Sequence, residues 1–424
     1  MTAVHNIFEQ YEQPETNRRF ELEQPSEPHP GRRIHEEFQF VLDRELIDPE
    51  TNRGHVTSIS APEEISFQGK QVGTVQEIRV WDPYVAADPE TYNHVTDYIT
   101  NVIEARMERE GFDITTSRQE ARNRDEWNRY TKAWLGHNAV QALSLWRELV
   151  PNAMALYYLT NPNVGGIIAS PSGETAKVTK ETAAQWRFVA DAITVRGRGV
   201  AMAYLAGEHI ASMPGDEPIQ VLSQASGTAE PMIMAAVEAQ QLTSRQAELT
   251  VADIDRNALA MVGRIATNAG FQGKLNPVTA NILADNLRDR LAQKTGRSPE
   301  EVGYDIVEQD GFTEYLPEAD DELMAFRGKN LIPASEFLRR SFEYVKPGGI
   351  NINGNMILNR QQSKFVFGAV DWPLINARSE DQILRIYDRA GILNNPKAQF
   401  KMYRIVDDLT GLHVYNMMLT KKLA

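Results

Sequence analysis

Ile219-Gln220-Val221-Leu222-Ser223-Gln224-Ala225-Ser226-Gly227-Thr228-Ala229-Glu230-Pro231 places a short apolar strand, a turn of small residues and a helix start in direct succession. Small residues let a ligand approach the backbone of such a turn. Pro231 suits a first helical turn, where its missing N–H is no loss. The next helix, Met232 to Gln240, points its free N–H donors and positive dipole end at the turn. A second apolar run, Leu249-Thr250-Val251-Ala252-Asp253-Ile254, comes after it. An acid at the tip of a second strand is where open α/β sheets hold ribose hydroxyls, so Asp253 takes that role. Asp255 precedes a helix with Ala258, Val262, Ile265 and Ala269 on one face and reads as its N-cap.

The alternation continues downstream, which implies βαβ units and a mainly parallel sheet. Tyr304 to Glu308 reads as a buried fourth strand ending at Asp310-Gly311-Phe312, succeeded by a helix with Phe337, Leu338, Phe342 and Val345. That helix stops at Lys346-Pro347-Gly348-Gly349 before the strand Ile350-Asn351-Ile352. Ser379 to Gln382 forms a capping box for a helix ending at Gly391. Phe400 to Val406 and His413 to Leu419 flank Asp407 to Gly411 as a terminal antiparallel hairpin.

Upstream, the pattern changes at Met213-Pro214-Gly215-Asp216-Glu217-Pro218, and a domain boundary is placed at 212–213. Residues 1–33, rich in Glu, Gln and Pro, form a flexible arm. Residues 34–212 are a mainly helical domain with short β elements. Ile65–Phe67 and Val72–Val75 make a hairpin with Gly69-Lys70 at its turn. Tyr92, Val95, Tyr98, Ile99 and Ile103 recur at amphipathic helical spacing, as do Trp127, Tyr130, Trp134 and Leu135. Thr179 reads as the N-cap of a long helix through Trp186, Val189 and Ile193. Arg196 and Arg198 lie on that helix, either on a solvated face or facing an acidic ligand.

With 58 acidic against 44 basic residues, the net charge of −14 argues against a broad nucleic-acid-binding face. The chain has no cysteine, so disulfides, thiolate metal sites and a Cys nucleophile are excluded. His35-Glu36-Glu37-Phe38-Gln39 fails the zinc-protease pattern, because Gln39 stands where the second His belongs, and no metal is expected. Met1 to Phe20 holds no secretory apolar run, and no stretch is long and apolar enough to span a membrane. A cytoplasmic protein is expected.

The C-terminal half resembles class I S-adenosylmethionine-dependent methyltransferases over about residues 190–424. Leu222 to Ala229 resembles their first motif and Val251 to Asp255 their second. Lys346 to Gly349 matches the turn before their fifth strand, and the final hairpin matches their sixth and seventh strands. Ala225 and Ala229 stand where that family usually has glycines, and Ser223 where it commonly has an acid. The resemblance implies a doubly wound α/β fold with a seven-stranded, mostly parallel sheet in residues 213–424. It implies S-adenosylmethionine as cofactor, contacted by Ala225, Ser226, Gly227, Thr228, Asp253, Ile254, Asn281, Asp310 and Gly311. A looser similarity, to enzymes that methylate the carboxyl group of 3-hydroxy fatty acids, rests on the Ala-Ser-Gly-Thr turn, Asp310 to Phe312 with Tyr315-Leu316, and Asp371-Trp372-Pro373 with Arg378-Ser379.

Methyl transfer is an in-line displacement in which the protein mainly positions the acceptor and excludes water. A carboxylate acceptor needs no base; Asp310, Tyr315 and Arg378 are the candidate catalytic groups. The expected substrate is a small molecule or lipid-like acid, with the N-terminal helices as lid or homodimer surface. Two alternatives stand: an NAD-dependent oxidoreductase, and a non-catalytic protein that retains the fold.

Overall fold

The computed structural model describes residues 54–112, 129, 132, 166–169, 175–178, 187–318, 331–371 and 375–424. The helix expected around Trp127 to Leu135 lies almost wholly outside them, as do Trp372 and Pro373.

The strand runs expected between residues 219 and 419 all form. They are β6 (Ile219–Gln224), β7 (Ala247–Asp253), β9 (Tyr304–Gln309), β10 (Val345–Met356), β11 (Ala398–Asp407) and β12 (His413–Lys422). β8 (Lys274–Thr279) is the strand that periodicity misses. Pro277 interrupts its pattern, and it is tolerated because β8 is an edge strand. β6 to β10 run parallel, whereas β12 is antiparallel to both β10 and β11.

The expected count of seven strands is corrected: the sheet has ten and is mixed. β1 (His55–Ile59), β2 (Glu63–Phe67) and β3 (Lys70–Trp81) extend it, with β3 lying parallel to β11 along Phe400↔Gly73 to Asp407↔Val80. The β2–β3 turn is Gln68-Gly69, one residue earlier than expected. Both of its residues have positive φ, the requirement of a tight hairpin turn. The addition has a physical reason. Without β3, β11 would be a long exposed edge, and such edges are usually covered. A separate two-stranded sheet pairs β4 (Gly166–Ala169) with β5 (Thr175–Val178).

Helices cover both faces. After α1 (Pro83–Ala87), α2 (Pro89–Tyr98) runs through a π-helical turn, Ile99–Glu104, into α3 (Ala105–Arg109). The buried side of this run, Tyr92, Val95, Tyr98, Ile99, Ile103 and Met107, contains the residues expected from their spacing. The long helix α4 spans Ala190–Ser212. Thr179 lies outside the described residues, but Val189, the N-cap of α4, is extended (ψ 136°), so the expected single helix through Val189 is corrected. α5 (Glu230–Thr243), α6 (Arg256–Asn268), α7 (Leu287–Thr295), α8 (Ala334–Glu343) and α9 (Glu380–Arg389) complete the set.

The two sides of the sheet bury separate cores. Ile219 and Val221 face the α4–α5–α6 side, whereas Leu222 faces the α7–α8–α9 side, the two-residue period of a strand covered on both faces. β3 and α4 precede residue 213, yet β3 belongs to the same sheet as β6 to β12, and both contribute to the first core. Among the described residues, no helix is long and apolar enough to cross a membrane.

Candidate active site

Five parallel strands, β6 to β10, end at one edge of the sheet. The turns that leave them (225–229, 254–255, 280–284, 310–316 and 357–364) therefore gather there. The chain reverses direction across the sheet between β6 and β9, and open α/β sheets bind ligands in the crevice at such a switch point.

The turn after β6 alternates left-handed residues: Ala225 (φ 50°), Gly227 (φ 52°) and Ala229 (φ 52°). A left-handed conformation costs a residue with a Cβ about 1–2 kcal/mol. The two alanines therefore carry strain, and the turn keeps its shape through tertiary bonds. Gly227 N donates to Asp253 Oδ2 at 2.8 Å, and Ser226 N to the carbonyl of Ala252 at 3.3 Å. α5 begins at Ala229 with no side-chain cap; in its first turn Pro231 has no N–H, and Met232 N donates to the Ala229 carbonyl at 3.1 Å. Ala225→Gly and Ala229→Gly are each expected to raise stability by about 0.5–1 kcal/mol, the strain relief less the entropy of a more flexible unfolded chain. Urea midpoints check this.

Asp253 ties two turns together. Its Oδ2 accepts from Gly227 N and its Oδ1 from Asp255 N, both at 2.8 Å. Burial raises its carboxyl to about 6 despite these bonds. Ile254 is exposed beside it. The third turn joins through Ala280 N, which donates to the Asp253 carbonyl at 2.9 Å; Asn281 is half-buried and caps its own turn by accepting from Leu283 N. Gly227, Thr228, Asp253 and Asn281 thus stand on three adjacent turns at one sheet edge.

The fourth turn carries a buried charge cluster. Arg198, on α4, pairs with Asp310 (2.8 Å) and lies 3.6 Å from Glu314, and its guanidinium stacks on the Tyr415 ring at 4.4 Å. The Tyr415 hydroxyl donates to Glu314 Oε1 (2.7 Å), and Met356 N to Glu314 Oε2 (2.8 Å). Glu308 accepts from Ser223 Oγ and from Asp310 N, each at 2.5 Å, the former across the switch point. Arg198 is 2% exposed and Arg196, paired with Asp82 at 2.7 Å, is 6% exposed, so a solvated helix face is corrected for both. Gly311 (φ 73°) is required here: a Cβ would sit 2.6 Å from Arg198 Nη1 and 2.9 Å from Glu314 Oε1.

Three carboxyls share one guanidinium, and burial dominates their titration. It pushes Glu308 up to about 8 and Glu314 to about 7, and raises Asp310 against the pull of Arg198. Linkage sets the sign. Glu308 and Glu314 bind protons more tightly folded than unfolded, so their contribution is complete below the unfolded value of 4.5 and is lost as pH rises through about 7 to 8. At about 1.4 kcal/mol per pKa unit, the Glu308 window amounts to several kcal/mol. Urea unfolding at pH 5.5 and 8.5 should show the chain less stable at the higher pH, with Glu308→Gln reducing the difference.

Tyr315 is half-buried on the short 3-10 turn Thr313–Tyr315. Arg378 is 4% exposed and donates to the carbonyls of Thr313 (2.9 Å) and Leu316 (2.5 Å) and to Asn355 Oδ1 (2.7 Å). It fixes the shape of the turn bearing Asp310 and Tyr315. Glu308, Glu314 and Tyr415 belong to this buried cluster, and the sequence pattern does not single them out. An acid directly after the apolar pair Ile306-Val307, at the strand's end, is the one signal available for Glu308.

No family model matches the chain, and neither does any curated protein. Among solved structures, it is similar to a possible exported protein from Bordetella parapertussis, at 15% identity over 74% of this chain and 99% of the other, with a TM-score of 0.44. It is also similar to an rRNA methylase from Streptococcus thermophilus, at 13% identity over 52% and 96%, with a TM-score of 0.34. An O-methyltransferase from Bacillus cereus in complex with SAH shares 11% identity over 54% and 80%, with a TM-score of 0.33.

Proposed function

We propose that the chain is an S-adenosylmethionine-dependent methyltransferase acting on a small-molecule or lipid-like acceptor. The strand order carries this reading: β8-β7-β6-β9-β10-β12-β11, with β12 entering antiparallel between β10 and β11. It agrees with the terminal hairpin expected from the family resemblance. It departs from the order of the dinucleotide fold, 3-2-1-4-5-6, which counts against an NAD enzyme.

The residues present fit the cofactor. The 225–229 turn brings a helix end without a side-chain cap, and with it the positive end of the helix dipole, to the crevice, suited to the carboxylate of an amino-acid moiety. Each Asp253 oxygen accepts one backbone N–H and retains a second lone pair for a ribose hydroxyl. Asn281 stands on the neighbouring turn for the base, and Asp310 and Gly311 flank the reacting end. When bound, the cofactor supplies an activated methyl group and its own leaving group. Arg198 holds Asp310, Arg378 holds the 313–316 turn, and Tyr315 borders the acceptor side. A carboxylate acceptor, the case that requires no base, suits a site whose carboxyls are themselves largely engaged. We also infer a cytoplasmic enzyme whose N-terminal helices serve as lid or homodimer surface.

Isothermal titration with S-adenosylmethionine, S-adenosylhomocysteine and NAD in separate runs tests the reading. Saturable binding of the two sulfur nucleosides alone is the expected result. Binding of NAD alone would transfer the chain to the oxidoreductases. Binding of none would leave a fold without its cofactor.

A further inference from the structure

The turn leaving β10 carries a second buried polar group beside the Arg198 cluster, whose Glu314 and Tyr415 also act on its arginine. Arg360 is fully buried and pairs bidentately with Asp191 in the first turn of α4: Nε to Oδ1 at 2.9 Å and Nη2 to Oδ2 at 3.0 Å. That geometry uses one edge of the guanidinium and turns Nη1 away from Asp191. Gln362, 2% exposed, accepts the α4 N-terminal N–H of Ala190 through Oε1 at 2.8 Å. Its Nε2 is therefore held at the same helix end. Both Arg360 Nη1 and Gln362 Nε2 are buried donors without a hydrogen-bond partner among the described residues. A buried unpaired donor is costly, and native proteins rarely keep one without a use. α4 adds an N-terminus that has no side-chain cap on its N-cap residue.

The charges around this pair disfavour an anion as the occupant. Arg360 is neutralised by Asp191, and the Glu104 carboxyl, which accepts Phe365 N at 2.9 Å, stands nearby. A further negative charge would face two carboxyls with one guanidinium already engaged. Two N–H donors without spare positive charge suit an uncharged acceptor oxygen. Beyond these charged groups, Arg360 stacks on Phe367 at 4.7 Å, and Phe365 and Val366 of the same turn are buried in the first core. Two π-helical turns meet here, Ile99–Glu104 and Phe365–Val370, a rare conformation frequent at functional sites. α4 runs opposite to β6, so Asp191 lies seven residues, about 10 Å, beyond Arg198 on the side past the strand ends.

The geometry points to a binding subsite in which Arg360 Nη1 and Gln362 Nε2 donate to an uncharged oxygen, a ketone or ester carbonyl, on an apolar molecule. In the proposed methyltransferase, on which this assignment of the acceptor rests, the subsite orients the substrate body while its reacting group meets the cofactor.

The test uses the full chain, without cofactor, and three eight-carbon probes: 2-octanone, octanoate and octylammonium. Side-chain 15N resonances of Gln362 and Arg360 are followed by NMR. 2-Octanone is expected to shift both resonances saturably, and octylammonium to leave them in place. Gln362→Glu keeps the oxygen that accepts from Ala190 N while removing the Nε2 donor, and should bind 2-octanone at least tenfold more weakly. If that variant does not fold, the wild-type resonances still decide. Unmoved resonances with 2-octanone, as expected of donors that merely hold ordered water, overturn the proposal. So does equal affinity in Gln362→Glu, or a response to octanoate alone. Absence of sulfur-nucleoside binding by calorimetry would sink the methyltransferase reading and leave ketone binding intact, so the two failures are distinguishable.

Discussion

Arg198→Met will lower the unfolding free energy by about 3–5 kcal/mol at pH 7.5, the cost of leaving buried charge without its partner. The guanidinium pairs with Asp310 and lies close to Glu314, and Glu308 bonds to the Asp310 N–H. Met preserves most of the side-chain length but supplies no charge, so three carboxyls must share the site alone. Protonation is their way out. The penalty should therefore shrink below about pH 5, where Glu308 and Glu314, raised to about 8 and about 7, are already neutral. Urea unfolding of wild type and variant at pH 5 and 7.5 gives both numbers. A pH-independent loss would mean that the damage is steric, through the Tyr415 stack, rather than electrostatic. Arg198→Lys separates the two: it restores the charge but not the planar contact with Tyr415.

Gly227→Val should abolish measurable S-adenosylmethionine binding, a loss of about 100-fold or more, because a β-branched residue cannot adopt the left-handed conformation without strain. Forcing it out of φ 52° withdraws its N–H from Asp253 and reshapes the turn at the helix end. Asp253→Ala should weaken binding about 10- to 100-fold for a related reason. It frees the N–H groups of Gly227 and Asp255, each worth about 1–3 kcal/mol when buried and unpaired. Titration calorimetry on folded variants, checked by circular dichroism, decides. Unchanged affinity in both would remove the crevice at β6 as the cofactor site, whatever the reaction.

Local chemistry makes much of this architecture readable. The strands at 219–224, 247–253 and 304–309 stand out as short apolar runs, because strands buried on both faces have little room for polar residues. The helix starts at Ser379 and Pro231 are equally local signals. β8 is not legible, since an edge strand with Pro277 needs neither alternation nor a full set of donors. β3 is recognisable as part of a hairpin, but nothing within residues 70–81 says that its other edge belongs to β11, more than 300 residues later. Register between distant strands depends on which edge is left open, and that is a property of the assembled sheet.

The site divides in the same way. Gly227, Asp253 and Asp310 are legible because strand ends carry ligands in this architecture, and strand ends can be located from the pattern. Arg198 is not. Its neighbours Gly197 and Gly199 suggest nothing, and an arginine on a helix is usually solvated. Only packing α4 against β12 brings it over Tyr415 and between Asp310 and Glu314. Arg378 changes role for a similar reason: a candidate catalytic group in sequence, it is engaged by the carbonyls of Thr313 and Leu316 once the chain folds. The sequence by itself determined the layered α/β class, the positions of most strands and the crevice that they frame, because those depend on period and composition. The tertiary structure decided the ten-strand sheet, the charge state of the crevice and the partners of its arginines, because burial and long-range pairing are set by residues far apart in the chain.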